Sequence, residues 1–502
     1  MVRCLVAALT LLTALGASAQ MPPPPTKLSS VMPPDAPANP PFSFGAIAAF
    51  QRKLDIFAWQ EFIAMNWPAA RPGIPSQKSI GGNVTGDNGT VWETYISPSQ
   101  VFQPGAKTPP PWGTPEPIPA FCAKAPAALA SEPMKVLSLV GKGDVQGEFL
   151  EAFTPSPLFD VNGHYTRYDV RINRDEYDKI MQGTQPQPAP AQPWYIPVNQ
   201  IAPMVLPAGD NATGRVGAVE IKASWRQITA AQRGRYHSSY AYITYAPDST
   251  TNLNTKCAGP LLMGMVGLHI AHKTVSFPQW VWATFEHVDN DPPAAPGSTH
   301  SFSYNNDPGC TIAAGCANQP PAAISGGYDG DPSKTYPAVQ VVRATPIPPA
   351  KNSPTTGINP VFQKLLRAIN PKSVWQFYQL VDTQWPELPG PKGNPKQCYH
   401  NTNPQSPDYQ YTFKCYGPGQ DEGPDPVPAT LTNTTMETYF QADSKQAFMG
   451  SCMGCHSNAT AATGAPNPSA FTDFSFLIGD AQPPSTESNP PRVLRKSSRP
   501  HN

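Results

Sequence analysis

Proline constrains this chain more than any other feature. It occupies 65 of 502 positions, about 13% against a usual share of about 5%. Each proline fixes φ and removes a backbone donor, so it breaks helix interiors and central strands. The sequence therefore predicts many loops joined by short strands and few helices. Ten tryptophans and eighteen tyrosines supply the apolar surface of a packed core. The expected class is α+β and β-rich: a large irregular sandwich or barrel-like domain with a few helices and a C-terminal helical segment.

The N-terminus reads as an export signal. Arg3 gives a short positive region, Leu5 to Leu15 an apolar core, and Ala17-Ser18-Ala19 a small-residue cleavage site. The apolar run is too short to cross about 30 Å of hydrocarbon. Residues 1–19 are thus expected to be a signal peptide, with a periplasmic or extracellular destination. Cys4 leaves with it. No later stretch approaches the roughly eighteen apolar residues of a membrane span. Thirty-five basic residues balance thirty-five acidic ones, which argues against nucleic acid or an anionic membrane surface as partner.

Residues 20–41 form a proline-rich arm, and residues 42–385 a β-rich domain with helices near 45–67 and 359–383. In the first helix Ile47, Phe50, Leu54, Phe57, Trp59, Phe62, Ile63 and Met65 recur near helical spacing until Pro68. In the second, Val361, Phe362, Leu365, Leu366 and Ile369 line one face. Val374, Trp375, Phe377, Tyr378 and Val381 line a helix beyond Pro371. Strands are expected in TVWETYI, MKVLSLV, GRVGAVEIKASWRQI, HSSYAYITYA, MGMVGLHIAHKTV, QWVWATFEHVD and AVQVVRAT. Residues 386–430 are a proline-rich disulfide hairpin region, 431–485 a helical segment around a Cys-x-x-Cys-His motif and 486–502 a disordered tail. Thr434-x-x-Glu437 reads as a capping box opening a helix.

Nine cysteines are present. Outside the signal and one Cys-x-x-Cys pair, Cys122, Cys257, Cys310, Cys316, Cys398 and Cys415 form an even set, which in an exported protein favours disulfides. Short closures at Cys310–Cys316 and Cys398–Cys415 leave Cys122–Cys257.

The remaining pair carries the chemistry. Cys452-Met453-Gly454-Cys455-His456 has the spacing of a c-type haem attachment sequence. On a helix, residues three apart share a face, so both thiols reach one porphyrin edge. His456 then stands where an imidazole can ligate the iron. A zinc site needs about four ligands, and no second Cys-x-x-Cys or His-x-x-x-His lies nearby. One covalent haem c is the expected cofactor.

Residues 457–502 contain no methionine, and His501 is their sole histidine. The sixth ligand is therefore expected from upstream or from water. The stretch GLHIAHKT (267–274) and WVWATFEHVDN (280–290) reads as a hairpin. Alternation opposes His269 to His272 and Glu286 to His287. With Asp289, these residue types suit a metal or acid–base cluster as well as hydrogen-bonded core. His269, His272 and His287 are the candidate distal ligands, with His237 and Met436 behind them.

The export signal with Cys452-x-x-Cys455-His456 resembles secreted bacterial c-type cytochrome proteins. SCMGCH (451–456), WQEFIAMNWP (59–68), VEIKASW (219–225) and WVWATFEHVDN (280–290) resemble a group of large single-haem proteins over most of residues 55–480. The resemblance implies covalent haem on Cys452 and Cys455 with His456 axial, and no particular substrate. The expected function is electron carriage to or from a redox partner protein. The alternatives are a haem-dependent oxidoreductase with a substrate site in the large domain and a small-gas sensor.

Overall fold

The computed structural model describes residues 22–23, 25–38, 44–81, 89–130, 132–137, 156–183, 190–245, 256–291, 302–325, 327–344, 347, 354–386, 426–428, 430–441 and 451–484. The signal-peptide reading, the Cys398–Cys415 hairpin and the tail with His501 lie outside them.

The elements, in chain order, are α1 (Phe44–Met65), β1 (Ala69–Arg71), β2 (Ile74–Pro75), α2 (Pro98–Val101), β3 (Met134–Leu137) and β4 (Arg167–Ile172). Next come α3 (Arg174–Gln182), β5 (Val219–Gln227), β6 (Ser238–Tyr245), β7 (Lys256–His272) and β8 (Val281–His287). The last are α4 (Pro354–Ile369), β9 (Tyr378–Pro386), β10 (Pro426–Val427) and α5 (Cys452–His456).

As expected, the protein is α+β and strand-rich. Its main sheet has eight strands in the order β10-β9-β8-β7-β5-β4, with β6 on β7 and β3 on β6. Among the described residues this sheet stays open rather than closing into a barrel. The long strand β7 organises it. One edge of β7 pairs with β5; the other pairs with β6 near its start and β8 near its end.

Helices α1 and α4 cover one face. Trp59 stacks on Phe362 at 4.9 Å between ring centroids, and its indole N–H donates to Asn359 Oδ1 at 2.9 Å. Asn359 in turn donates to Leu380 O and accepts from Leu380 N, tying α4 to β9. Among the side chains of α1 that the structure describes, Ala48, Lys53 and Gln60 form a narrow solvent-facing stripe. The proline-rich arm covers part of the rest: Leu28 and Met32 pack on the main core, and Ala36 joins Phe50, Leu54 and Phe57. Proline pre-extends that arm, so docking it sacrifices little chain entropy.

Several expectations are corrected. The helix expected up to residue 383 ends at Ile369; a 3-10 turn covers Val374–Phe377 and the rest is strand β9. TVWETYI is a 3-10 turn at Trp92–Thr94, because Glu93 accepts from Thr90 N and Thr90 Oγ1 and closes the chain on itself. AVQVVRAT is extended, but its amides bond to loop carbonyls of Phe159 and Tyr304 instead of to a strand. Among the described residues no α-helix opens at Thr434; Glu437 accepts from Asn433 N and closes a turn before a 3-10 segment at Thr438–Phe440. Sequence reading missed α3, although Asn173 caps it by accepting from Glu176 N at 3.2 Å.

Two disulfides match expectation, Cys122–Cys257 and Cys310–Cys316. No helix among the described residues is long and apolar enough to cross a membrane. The segment 451–484 is no separate unit. Met453, Ala461, Phe474 and Ile478 share a core with Ile172, Trp194, Ala271 and Trp282 on the face of the sheet opposite α1.

Candidate functional site

Five residues are too few to hold a helix by their own hydrogen bonds, so α5 takes its order from its surroundings. Ser451 caps it by accepting from Gly454 N at 3.1 Å. Gln384 of β9, fully buried, accepts from Met453 N at 2.9 Å and from Ser451 Oγ at 3.2 Å. Its amide nitrogen donates to Pro428 O at 2.7 Å. Cys452 and Cys455 are partly exposed and are not joined to each other by a disulfide. Among the described residues no group of three or more His, Cys, Asp or Glu could hold a metal ion on its own.

His456 is 8% exposed. Its ring lies 4.5 Å from Trp282 and 5.1 Å from Phe476, centroid to centroid. Nδ1 is 2.7 Å from the carbonyl oxygen of Phe474. A carbonyl can only accept, so Nδ1 carries the proton and the ring lone pair belongs to Nε2. That is the tautomer an iron-ligating imidazole needs, and the hydrogen bond raises its basicity. These residues fit a haem bound through Cys452, Cys455 and His456.

The carbonyl is aimed by an unusual piece of backbone. Asp473 and Phe474 both have positive φ, 56° and 71°. Aspartate tolerates this region, but an aromatic residue does so only when its surroundings enforce it. Here Thr472 Oγ1 donates to Ser475 O at 2.6 Å, while the buried Asp473 side chain accepts from Leu206 N at 2.7 Å and pairs with Lys273.

The sheet supplies the rest in one cross-strand row. Glu220 of β5 is in register with Ala271 of β7, Ala271 with Trp282 of β8, and Trp282 with Gln384 of β9. Direct partners project to the same face. The row therefore presents, in order, a carboxyl, a methyl group, the indole against His456 and the amide that holds α5.

The hairpin exists as expected, but it does not gather its histidines. His272 faces α1, stacked on Phe57, with Nδ1 2.5 Å from Glu61 Oε1 and Nε2 2.5 Å from Val216 O. His287 is stacked on Tyr236 at 4.0 Å; it accepts at Nδ1 from Asp289 N and donates from Nε2 to Arg235 O. Burial pushes His287 down to about 4. Both histidines are committed to packing. His237 lies against Trp375 with Nε2 3.1 Å from Glu93.

His269 alone of the hairpin three shares the haem-segment face, its register partner being Thr284, two residues from Trp282. Its Nε2 lies 3.1 Å from Glu437 Oε1. Glu286 is on that face too, accepting from Thr434 N at 2.6 Å and paired with Arg343. Met436 is fully buried in the neighbouring turn.

Sequence reasoning singled out Cys452, Cys455 and His456 but missed Gln384, Trp282, Phe474 and Asp473. Nothing local marks them; only strand register brings them together. The chain matches no protein-family model, no curated protein and no solved structure.

Proposed function

We propose that this chain is an exported c-type haem protein that passes single electrons to or from a redox partner protein. Cys452 and Cys455 hold the haem by thioether bonds and His456 ligates the iron through Nε2. The observation that carries this reading is the 2.7 Å contact between His456 Nδ1 and the Phe474 carbonyl, which prepares the imidazole as a ligand. Bound there, haem supplies a one-electron couple.

The protein's own residues position and screen it. Gln384 and Ser451 fix the helix that spaces the thiols. Trp282 and Phe476 wall the imidazole against water, and lower exposure shifts a haem potential. The sixth position would be filled from upstream or by water, with His269, which shares a sheet face with Trp282, as the leading candidate and Met436 behind it.

The test is production of the full chain in a host that attaches c-type haem. The expected result is a covalent mass increase of one haem and a c-type absorption spectrum, both lost in Cys452→Ala/Cys455→Ala. Zinc without iron in the purified protein would sink the reading. Carbon monoxide added to the ferrous form distinguishes the alternatives: ready binding marks an exchangeable sixth position, suited to gas sensing or substrate chemistry.

A further inference from the structure

Behind residues 451–484 lies a group of acids that electron carriage alone does not need, with Glu176 and Asp473 buried and Glu220 and Asp480 partly exposed. Glu176 of α3 is fully buried, and among the described residues no N–H or O–H group donates to either of its carboxyl oxygens. The group facing it is the carboxyl of Glu220 on β5. Two carboxyls can hydrogen bond only if one carries a proton. Asp473 and Asp480 from the haem segment complete the cluster. Among the described residues the nearby cations are Lys273, just beyond β7, buried and paired with Asp473, and Lys222, two residues along the same face of β5 from Glu220, buried and lying over Tyr168. Asp175 of α3 turns instead to Gly217 N and Arg215, and Lys179 lies over Trp194.

A fully buried carboxyl that receives no hydrogen bond and faces a second carboxyl does not stay ionised beside it. Burial, and after it the charge of Glu220, holds Glu176 well above the usual carboxyl range. Burial and Glu220 push Asp480 up to about 7. Burial pushes Asp473 up to about 6 against the opposing pull of Lys273.

The cluster is tied to the proposed iron ligand in two ways. Asp473 adjoins Phe474, whose carbonyl accepts from His456. Glu220 lies two strands from Trp282 in the same row, about 10 Å at the usual strand spacing.

We propose that Glu176 and Glu220, with Asp473, Asp480 and Lys273 around them, form a redox-linked proton site. The pair takes up one proton from solvent when a one-electron donor reduces the haem bound at Cys452, Cys455 and His456, and returns it when an acceptor removes that electron. One proton then offsets one electron, so the buried charge is unchanged. This inference depends on the haem reading above. A unit charge about 10 Å away in a protein interior changes a carboxyl's proton affinity about tenfold, so the effect is measurable.

The test is the midpoint potential of the haem-loaded protein from about pH 5 to pH 8, where carboxyls raised by burial titrate. The expected result is a potential that falls with rising pH, fitting proton affinities about tenfold apart in the two redox states. That dependence should flatten in Glu176→Gln/Glu220→Gln. Asp480→Asn, at the partly exposed edge of the cluster, should shift it and serves if the double variant does not fold. Reduced-minus-oxidised infrared spectra should show a carboxyl C=O band that the double variant lacks. A flat potential in the parent, or a slope unchanged in both variants, overturns the proposal. In Cys452→Ala/Cys455→Ala the buried carboxyl band should persist at neutral pH. Failure of the haem reading therefore leaves that band present with no haem bound, whereas failure of this inference leaves haem bound and the band absent.

Discussion

Replacing Gln384 by methionine removes three polar contacts while nearly keeping the side-chain volume. Its Oε1 serves Met453 N and Ser451 Oγ, and its Nε2 serves Pro428 O, all from a fully buried position. Ser451 Oγ still accepts from Gly454 N, but the buried Met453 N–H loses a partner it cannot replace with solvent, and the partly exposed Pro428 carbonyl loses one that water replaces in part. A buried orphan costs about 1–3 kcal/mol, so the variant should lose about 2–3 kcal/mol, a sizeable share of a typical stability of about 5–15 kcal/mol. Because those contacts hold α5, the loss should also be felt locally. Alkylation of Cys452 and Cys455 in the haem-free protein should be at least tenfold faster in Gln384→Met under native conditions. Urea unfolding gives the first quantity and mass-resolved thiol labelling the second. A variant within about 0.5 kcal/mol of the parent, with unchanged labelling, would refute the claim that the sheet holds the attachment helix.

His287, depressed to about 4 by burial, is neutral when folded and titrates near 6.5 when unfolded. The unfolded chain binds the extra proton between those values, so this group's contribution is full above about pH 6.5. It is lost as pH falls toward 4, by about 3 kcal/mol in all. Urea midpoints at several pH values should show that slope in the parent and not in His287→Phe. Cys122→Ala/Cys257→Ala opens a bridge spanning 135 residues and should cost about 4 kcal/mol. Cys310→Ala/Cys316→Ala, closing a separation of only 6, should cost clearly less by the same assay. His501→Ala should leave the visible spectrum of the haem-loaded protein unchanged, whereas His269→Ala or Met436→Ala should speed carbon monoxide binding if that residue closes the iron. A spectrum altered by His501→Ala defeats the expectation that nothing after His456 supplies the sixth ligand.

The first helix was legible because its apolar residues recur at helical spacing over six turns. The hairpin was legible because two apolar strands flank a loop containing Pro278. Strand β9 was not. Tyr378, Leu380, Thr383, Gln384 and Trp385 are all buried, so helices on one face and the haem segment on the other erase the alternation that marks a strand. The run from Val374 to Val381 then mimics helical spacing. For α3 the signal was present in Asn173 followed by Asp175 and Glu176, and it was passed over. At the site, the thiols and His456 could be read because one short helix sets their spacing. Phe474 and Asp473 could not, since neither residue type announces positive φ. Nor could Gln384 and Trp282, which have meaning only through the pairing of strands 100 positions apart.

That pairing makes register a hereditary constraint. Side chains alternate along a strand, so removing one residue within Val281–His287 would turn Trp282 toward α1 and bring an alanine or valine under the imidazole. The same deletion in the preceding loop, residues 273–280, would leave the row intact. Length changes in this lineage should therefore be tolerated between the strands and purged within them. The Cys-x-x-Cys-His segment, for its part, cannot be lifted onto another scaffold as a portable cassette. Half of what would make its histidine a ligand is written some 170 residues earlier, in which tryptophan faces which way.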